Sequence, residues 1–419
     1  MWWPWFLSLF LLGSTFAEEA KKAEDFFTLL GGTGTCDDTT MNAFLVDAIA
    51  LANAFNSAVM AISNNPAEKE GYVARFLLST WLGISIDDGL YWITKTDIEG
   101  KEWNDYTAQW ERVLDVNDQV KDFLDGNGLI APESSPELLC GGTSFRAFEW
   151  KDSVLEWDSS KGTETAREID DSEVMISQVY DYDSESLPYL LQNNHKYYVV
   201  RDDLSPTNIC NPLDTSKEPF LAHVFSGQAA TRKTVMAQPV FIDGVSPLVV
   251  MCPAGLEKGS LSDLESKKGT RIIGETNINE INQEVPGPTT LFHELIHLTS
   301  FWAETDDGAF TKSDNYIKDY SYDAVECLQM ASTGIEVTIS DETKVYTPGD
   351  ASLNAESYTF FALSYWYFME TDQTFYEGLL VNWDNETPEP EAVAKRSSVD
   401  GARPYRRWLG HSHDETRHY

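Results

Sequence analysis

Positive charge is scarce in this chain. Its 30 Lys and Arg residues stand against 68 Asp and Glu, for a formal net charge of −38. Such a surface repels nucleic acid and anionic membranes, so partners bound through phosphate are excluded, and it keeps the chain soluble. Cysteine is sparse as well. Cys36, Cys140, Cys210, Cys252 and Cys327 are widely spaced and form no CxxC pair, which argues against a zinc knuckle. Beyond the first residues, no stretch approaches 18 uninterrupted apolar residues, so an ordinary membrane span is not expected. There is no internal repeat. Histidine occurs only 7 times, which makes any close pair of histidines informative.

What is present points to a folded, exported chain. Hydrophobic residues make up 42% and aromatics 12%, enough for a packed core, and 419 residues give room for one large domain with insertions or two ordinary ones. The opening "MWWPWFLSLFLLGSTFA" is an apolar run followed by small residues, with Thr15 and Ala17 placed for signal-peptidase cleavage and charges beginning at Glu18. Residues 1–17 therefore read as a secretory signal, although the usual Lys or Arg at its start is missing. A secreted, extracellular protein is expected, with up to two disulfides and one odd thiol. The sequon at Asn385 agrees with export.

Residues 18–35 form a short N-terminal segment. Met41, Phe44, Leu45, Ala48, Leu51, Ala52, Phe55 and Val59 then recur at i, i+3, i+4 and predict a long helix, with Asp37, Asp38 or Thr39 as its cap. Residues 72–94 read as helix and then strand or turn. From about 100 to 235 the chain is polar and acidic: "DSSKGTETAREIDDSE" reads as loop and "HKYYVV" as a strand. "QPVFIDGVSPLVVMC" (238–252) reads as a strand pair turning at Asp243-Gly244. Helices are expected over 323–332 and 354–370. Residues 381–419 read as a flexible tail, carrying a dibasic pair at Lys395-Arg396 and three histidines, His411, His413 and His418.

Chemistry concentrates in "TLFHELIHLTSF", which follows the break "EVPGPTT", with Thr289 or Thr290 as the expected cap. On a helix running from Leu291 to Trp302, Leu291, Leu295, Leu298 and Trp302 share one stripe. His293 and His297 stand opposite it, one turn apart. Two imidazoles at this spacing converge on one metal ion, and zinc accepts neutral imidazole nitrogens readily. The intervening Glu294 does not ligate; in HExxH it serves as general base toward a water molecule. A catalytic zinc needs a third protein ligand and an open fourth position. No histidine follows at the HExxHxxGxxH spacing, and His195 and His223 lie far upstream, so the third ligand should be a carboxylate. Asp306, Asp307, Asp314, Asp319, Glu326 and Glu356 are all candidates on spacing alone.

"HELIH", followed by "KDYSYDAVECLQMA" (318–331) and "NAESYTFFA" (354–362), resembles the fungal aspzincin metalloendopeptidases, the deuterolysin and peptidyl-Lys metalloendopeptidase group. "GTCDDTTMNAFLVDAIALANA", "RFLLSTWLGI" and "LVVMCPAGL" extend the similarity, which spans Cys36 to about Glu370 apart from residues 85–235. The resemblance implies an α+β, zincin-like metallopeptidase domain over 36–380, with 85–235 as a large insertion. It implies a small twisted sheet with the active-site helix below its edge strand, and one Zn2+ ion held by His293, His297 and Asp319. Glu294 would be the general base, and Tyr322 would stabilise the oxyanion. The stretch departs from the family's pattern in lacking the glycine-threonine before Asp319 and in placing Asp323 where a glycine follows. Glu356 matches the first of two pocket acids in lysine-preferring members, Thr359 stands in place of the second, and Asn354 and Phe361 match packing positions. The resemblance also implies a Cys210–Cys252 disulfide and a Cys36–Cys140 pair.

These readings converge on a secreted, monomeric zinc metalloendopeptidase acting on protein or peptide substrates, with neither nucleic acid nor membrane as partner. The competing reading is a secreted zinc-binding or host-interaction protein that keeps a zincin fold with little or no turnover.

Overall fold

The computed structural model describes residues 21–31, 38–87, 89, 95–96, 100–103, 106–127, 135–180, 186–201, 203–225, 231–235, 238–242, 244–266, 281, 285–304, 310–314, 316–339, 342–376 and 379–382. The signal (1–17), Cys36, the Asn385 sequon and the tail beyond 382, with Lys395-Arg396 and its three histidines, lie outside them.

The chain mixes helices with small sheets. The apolar spacing after residue 38 produces α1 (Asp38–Asn64), and every residue named from its periodicity is buried. It is long and apolar enough over 39–64 to cross a membrane by length and composition alone. Most of its apolar side chains are instead part of the main core, packed among four other helices, while Val46 and Met60 are exposed. These are α2 (Lys69–Leu82), α3 (Tyr106–Asp125), α4 (Gly287–Ser300) and α6 (Ala355–Thr371); the shorter α5 (Ala324–Ser332) leans on α2. α6 is buried almost all round, as an internal helix must be. Phe55 of α1 meets Tyr358 and Phe361 of α6 edge-on at 5.7 and 5.8 Å, and Trp81 of α2 lies 4.9 Å from Phe360. α2 stops at Gly83, whose φ of 72° is left-handed and whose Cβ position is only 2.4 Å from the Pro348 carbonyl oxygen; no other residue fits there.

One sheet separates two cores. Its order is β1 (Thr28–Leu29), β2 (Glu137–Cys140), β7 (Leu248–Met251), β6 (Ala222–Phe225). β1, β2 and β7 are parallel, and β6 closes the row antiparallel to β7. Alternation along β2 and β7 splits their side chains. Leu138, Cys140, Val249 and Met251 join the helical core, while Leu139, Leu248 and Val250 face a second core with Phe145, Tyr189, Tyr198 and Ile209. Burial on both faces explains why "LVVM" is apolar throughout. The second core is covered by a three-stranded sheet of β3 (Phe145–Ala147), β4 (Ser186–Leu191) and β5 (Lys196–Arg201). The Cys210–Cys252 disulfide lies in it, as expected. Cys140 is also disulfide-bonded, but a pairing with Cys36 falls outside the described residues. Cys327 is a free, buried thiol.

Several expectations change. Residues 85–235, expected as a large insertion, supply α3 and two of the main sheet's four strands. Val113, Val116, Val120, Phe123 and Leu124 of α3 are buried in the helical core, where Phe26 and Phe27 of the N-terminal segment each lie 5.7 Å from Phe123. "DSSKGTETAREIDDSE" forms parts of two short hairpins rather than loop. Residues 238–242 pair with 231–235, and 248–251 with 222–225, so the two strands of 238–252 do not pair with each other. α4 starts at Gly287, with Pro286 at its cap. Thr289 instead turns its hydroxyl back to the Pro286 carbonyl, 2.5 Å away. α4 ends at Ser300, and Trp302 begins a strand.

Candidate metal centre

α4 is held from both sides. Gly287 at its start allows close approach, since a Cβ there would sit 2.7 Å from both the Gly255 carbonyl oxygen and the Phe44 ring. Leu291, Leu295 and Leu298 anchor it in the helical core, and edge strand β6 packs across it. The opposite face carries His293 and His297, whose Nε2 atoms lie 3.1 Å apart.

The third member of the group, a carboxylate, comes from an irregular segment between α4 and α5. Asp319 Oδ1 is 3.1 Å from His293 Nε2 and 2.9 Å from His297 Nε2. His293, His297 and Asp319 form a group that could hold a metal ion. Ligands at 2.0–2.1 Å around a tetrahedral ion stand about 3.3 Å from one another, close to the spacing found. The other ring nitrogens are engaged. His293 Nδ1 is 2.8 Å from Glu356 Oε2, and His297 Nδ1 is 3.1 Å from the Ile317 carbonyl oxygen. With Nδ1 of each ring donating to these acceptors, loss of the Nε2 proton would leave both Nε2 lone pairs facing one point, the tautomer a metal ligand requires. His293 keeps 6% of its side-chain surface exposed, His297 15% and Asp319 26%, so the cluster opens on the Asp319 side.

Charge within the cluster is strongly coupled. Burial opposes protonation of His293, but Asp319 and Glu356 outweigh it and raise the imidazole pKa well above its usual value. Burial likewise opposes ionisation of Asp319, and the two histidines overcome it and hold the carboxyl well below the usual range. Glu294, 6% exposed, is pushed up to about 7, mainly by burial. A carboxyl with that pKa can accept and return a proton near neutrality. Tyr322 stacks on His293 with ring centroids 5.5 Å apart, and its hydroxyl hydrogen-bonds the Asp319 carboxylate. Burial first, and Asp319 next, raise its pKa well above the usual value, so it is a neutral hydrogen-bond donor.

Among the described residues, Asp314, Glu326, His195 and His223 do not join this group. Asp306 and Asp307 fall outside the described residues. Asp314 is exposed, and Glu326 accepts a 2.9 Å hydrogen bond from the Ser321 hydroxyl. His195 stacks on Trp157 at 4.3 Å, and His223 Nε2 is 2.9 Å from the Ile209 carbonyl oxygen. Glu356 and Thr359 do not form an open acidic pocket. Glu356 is committed to His293 and lies within electrostatic reach of Lys258, and Thr359, 1% exposed, turns its hydroxyl to the Ala355 carbonyl oxygen at 3.2 Å. Sequence spacing placed Glu356 near the site. It could not show that the carboxylate serves a histidine, because that depends on which way α6 is rotated.

Comparison with known protein families, with curated proteins and with solved structures finds no match to the chain.

Proposed function

We propose that the protein is a zinc-dependent endopeptidase of zincin-like architecture, related to the aspzincins, that hydrolyses peptide bonds outside the cell. The observation that carries this reading is the junction of three features: a two-imidazole, one-carboxylate donor set, a buried glutamate on the same helix with its pKa near 7, and a neutral phenol at the cluster's edge. Two nitrogens and one oxygen, with both imidazole Nδ1 atoms already satisfied, suit zinc with one position left open.

Zinc bound there would lower the pKa of a coordinated water and polarise a substrate carbonyl. The chain's own groups supply the rest. Glu294, buried on the same helix as the two histidines, takes a proton from the attacking water and passes it to the departing amine. Tyr322 offers its hydroxyl to negative charge that develops on the carbonyl oxygen. Glu356 and the Ile317 carbonyl fix the two rings, so the ligands need not reorganise during turnover. Antiparallel β6 ends the sheet order over α4, and an extended peptide can add to a strand in that place by strand pairing.

The test is hydrolysis of an unfolded protein by the purified chain, abolished by a chelator and restored by stoichiometric zinc. A chain that binds one zinc at this site and cuts nothing would overturn the enzyme reading in favour of a zinc-binding role.

A further inference from the structure

Asp319 and Tyr322 sit on a segment, 316–323, whose described residues form no helix and no strand; a bridge joins its Lys318 to Asn354. An irregular segment holds a metal ligand accurately only if its backbone groups are tied down, since each untied residue keeps conformational freedom. The ties converge on one place, the start of α6. Lys318 N–H donates to the Leu353 carbonyl at 2.7 Å, and Ala355 N–H donates to the Lys318 carbonyl at 2.9 Å. On the other side of Asp319, the Asn354 side-chain oxygen accepts from Tyr320 N–H at 2.8 Å and from Ser321 N–H at 3.1 Å. The same amide's Nδ2 donates to the Ser321 carbonyl at 3.0 Å and contacts Ser357 Oγ at 3.0 Å and Cys327 Sγ at 3.3 Å. Two N–H donors face the oxygen and a carbonyl faces the nitrogen, so only one orientation of the amide satisfies the network. Asn354 is fully buried.

We infer that Asn354 is the positioning residue of the metal centre, a buried splint that fixes the residues following Asp319 and so sets where Asp319 and Tyr322 stand. Its position in the chain extends the effect. Two residues on, Glu356 holds His293, and Ile317 in the clamped segment holds His297. The first turn of α6 therefore references all three ligands to one rigid element. No isosteric substitute preserves this. Aspartate keeps the two acceptor contacts, but it sets a carboxylate oxygen against the Ser321 carbonyl and loses the donor. This inference rests on the metal-centre reading above.

The experiment compares wild type with Asn354→Ala, Asn354→Asp and the remote core variant Ile62→Ala in α1. Two quantities are read: hydrogen exchange of the peptide spanning 318–322 in the metal-free protein, and zinc affinity by competition with a chromophoric chelator. Both Asn354 variants are expected to speed exchange in that peptide at least tenfold and to weaken zinc binding 10- to 100-fold, the usual cost of losing an outer support. Ile62→Ala should lower the melting temperature while leaving both quantities within about twofold of wild type. Unchanged exchange at 318–322 in the aspartate variant would overturn the splint. So would a zinc-affinity loss that simply tracks melting temperature across all three variants. Wild-type protection of 318–322 that Asn354→Ala removes, in a chain that binds no zinc, would support the splint and sink the metal reading instead.

Discussion

Replacing Glu294 with glutamine should make the metal-free protein more stable, and by an amount that grows with pH. Glu294 is buried, and its pKa rises from an ordinary 4.5 to about 7 in the folded chain. Between those values the folded state binds more protons than the unfolded state, so stability falls as pH rises through the window and the full cost stands above about pH 7. The size of the shift corresponds to about 3 kcal/mol. Glutamine keeps the shape and cannot ionise. Its advantage should be under about 1 kcal/mol at pH 5 and approach about 3 kcal/mol at pH 8.5, with His293 and Asp319 common to both proteins. Urea unfolding in chelator, followed by tryptophan fluorescence at the two pH values, measures it. Equal stabilities at both pH values, or a glutamine variant that is the weaker at pH 8.5, would refute the claim that a buried carboxylate is held there against the fold's own stability. A catalytic base is where such a cost is expected.

Three other outcomes follow from the geometry. Glu356→Ala should weaken zinc binding roughly 10- to 100-fold by taking the acceptor away from His293 Nδ1, read by chelator competition; wild-type affinity would contradict its role. Tyr322→Phe, assayed at saturating zinc, should lower kcat about 100- to 1000-fold, since it removes one donor to developing charge; an unaltered kcat would return Tyr322 to its hydrogen bond with Asp319 and its packing against His293. Replacing Cys210 and Cys252 together by serine opens a link between residues 42 apart and should cost about 4 kcal/mol in urea unfolding, with a loss below about 1 kcal/mol counting against that link's importance to the second core.

The parts of the fold that were legible in the sequence are those whose burial is periodic. α1, α4, α5 and α6 announce themselves because one face or the whole circumference is apolar along their length. Asp323 even caps α5 as a helix-starting aspartate should, accepting from Val325 and Glu326 N–H. α3 is amphipathic, with Val113, Val116, Val120, Phe123 and Leu124 buried and Asp115, Asp118 and Asp122 exposed, and the acidity of the surrounding stretch hid that stripe. β2 has only four residues, too few for alternation to register, and the short hairpins of 155–173 are largely polar because they bury little. The start of α4 was misplaced because Thr289 and Thr290 have the chemistry of a cap, while Pro286 takes the position through its fixed backbone angle. At the site, the histidine pair and Glu294 were readable from spacing alone. Asp319 and Tyr322 needed motif context, because they come from an irregular segment with no period. Glu356 and Asn354 act through hydrogen bonds across three-dimensional gaps, which no sequence spacing encodes.

The central claim is that Glu294 works as a base beside a zinc held by His293, His297 and Asp319. The most direct test is digestion of an unfolded protein mixture by the wild type and by Glu294→Gln, each carrying the same measured zinc content, with products identified by mass spectrometry. Peptides cut by the wild type alone are predicted. Cleavage at equal rates by both proteins, or by neither while both hold zinc, would contradict the account.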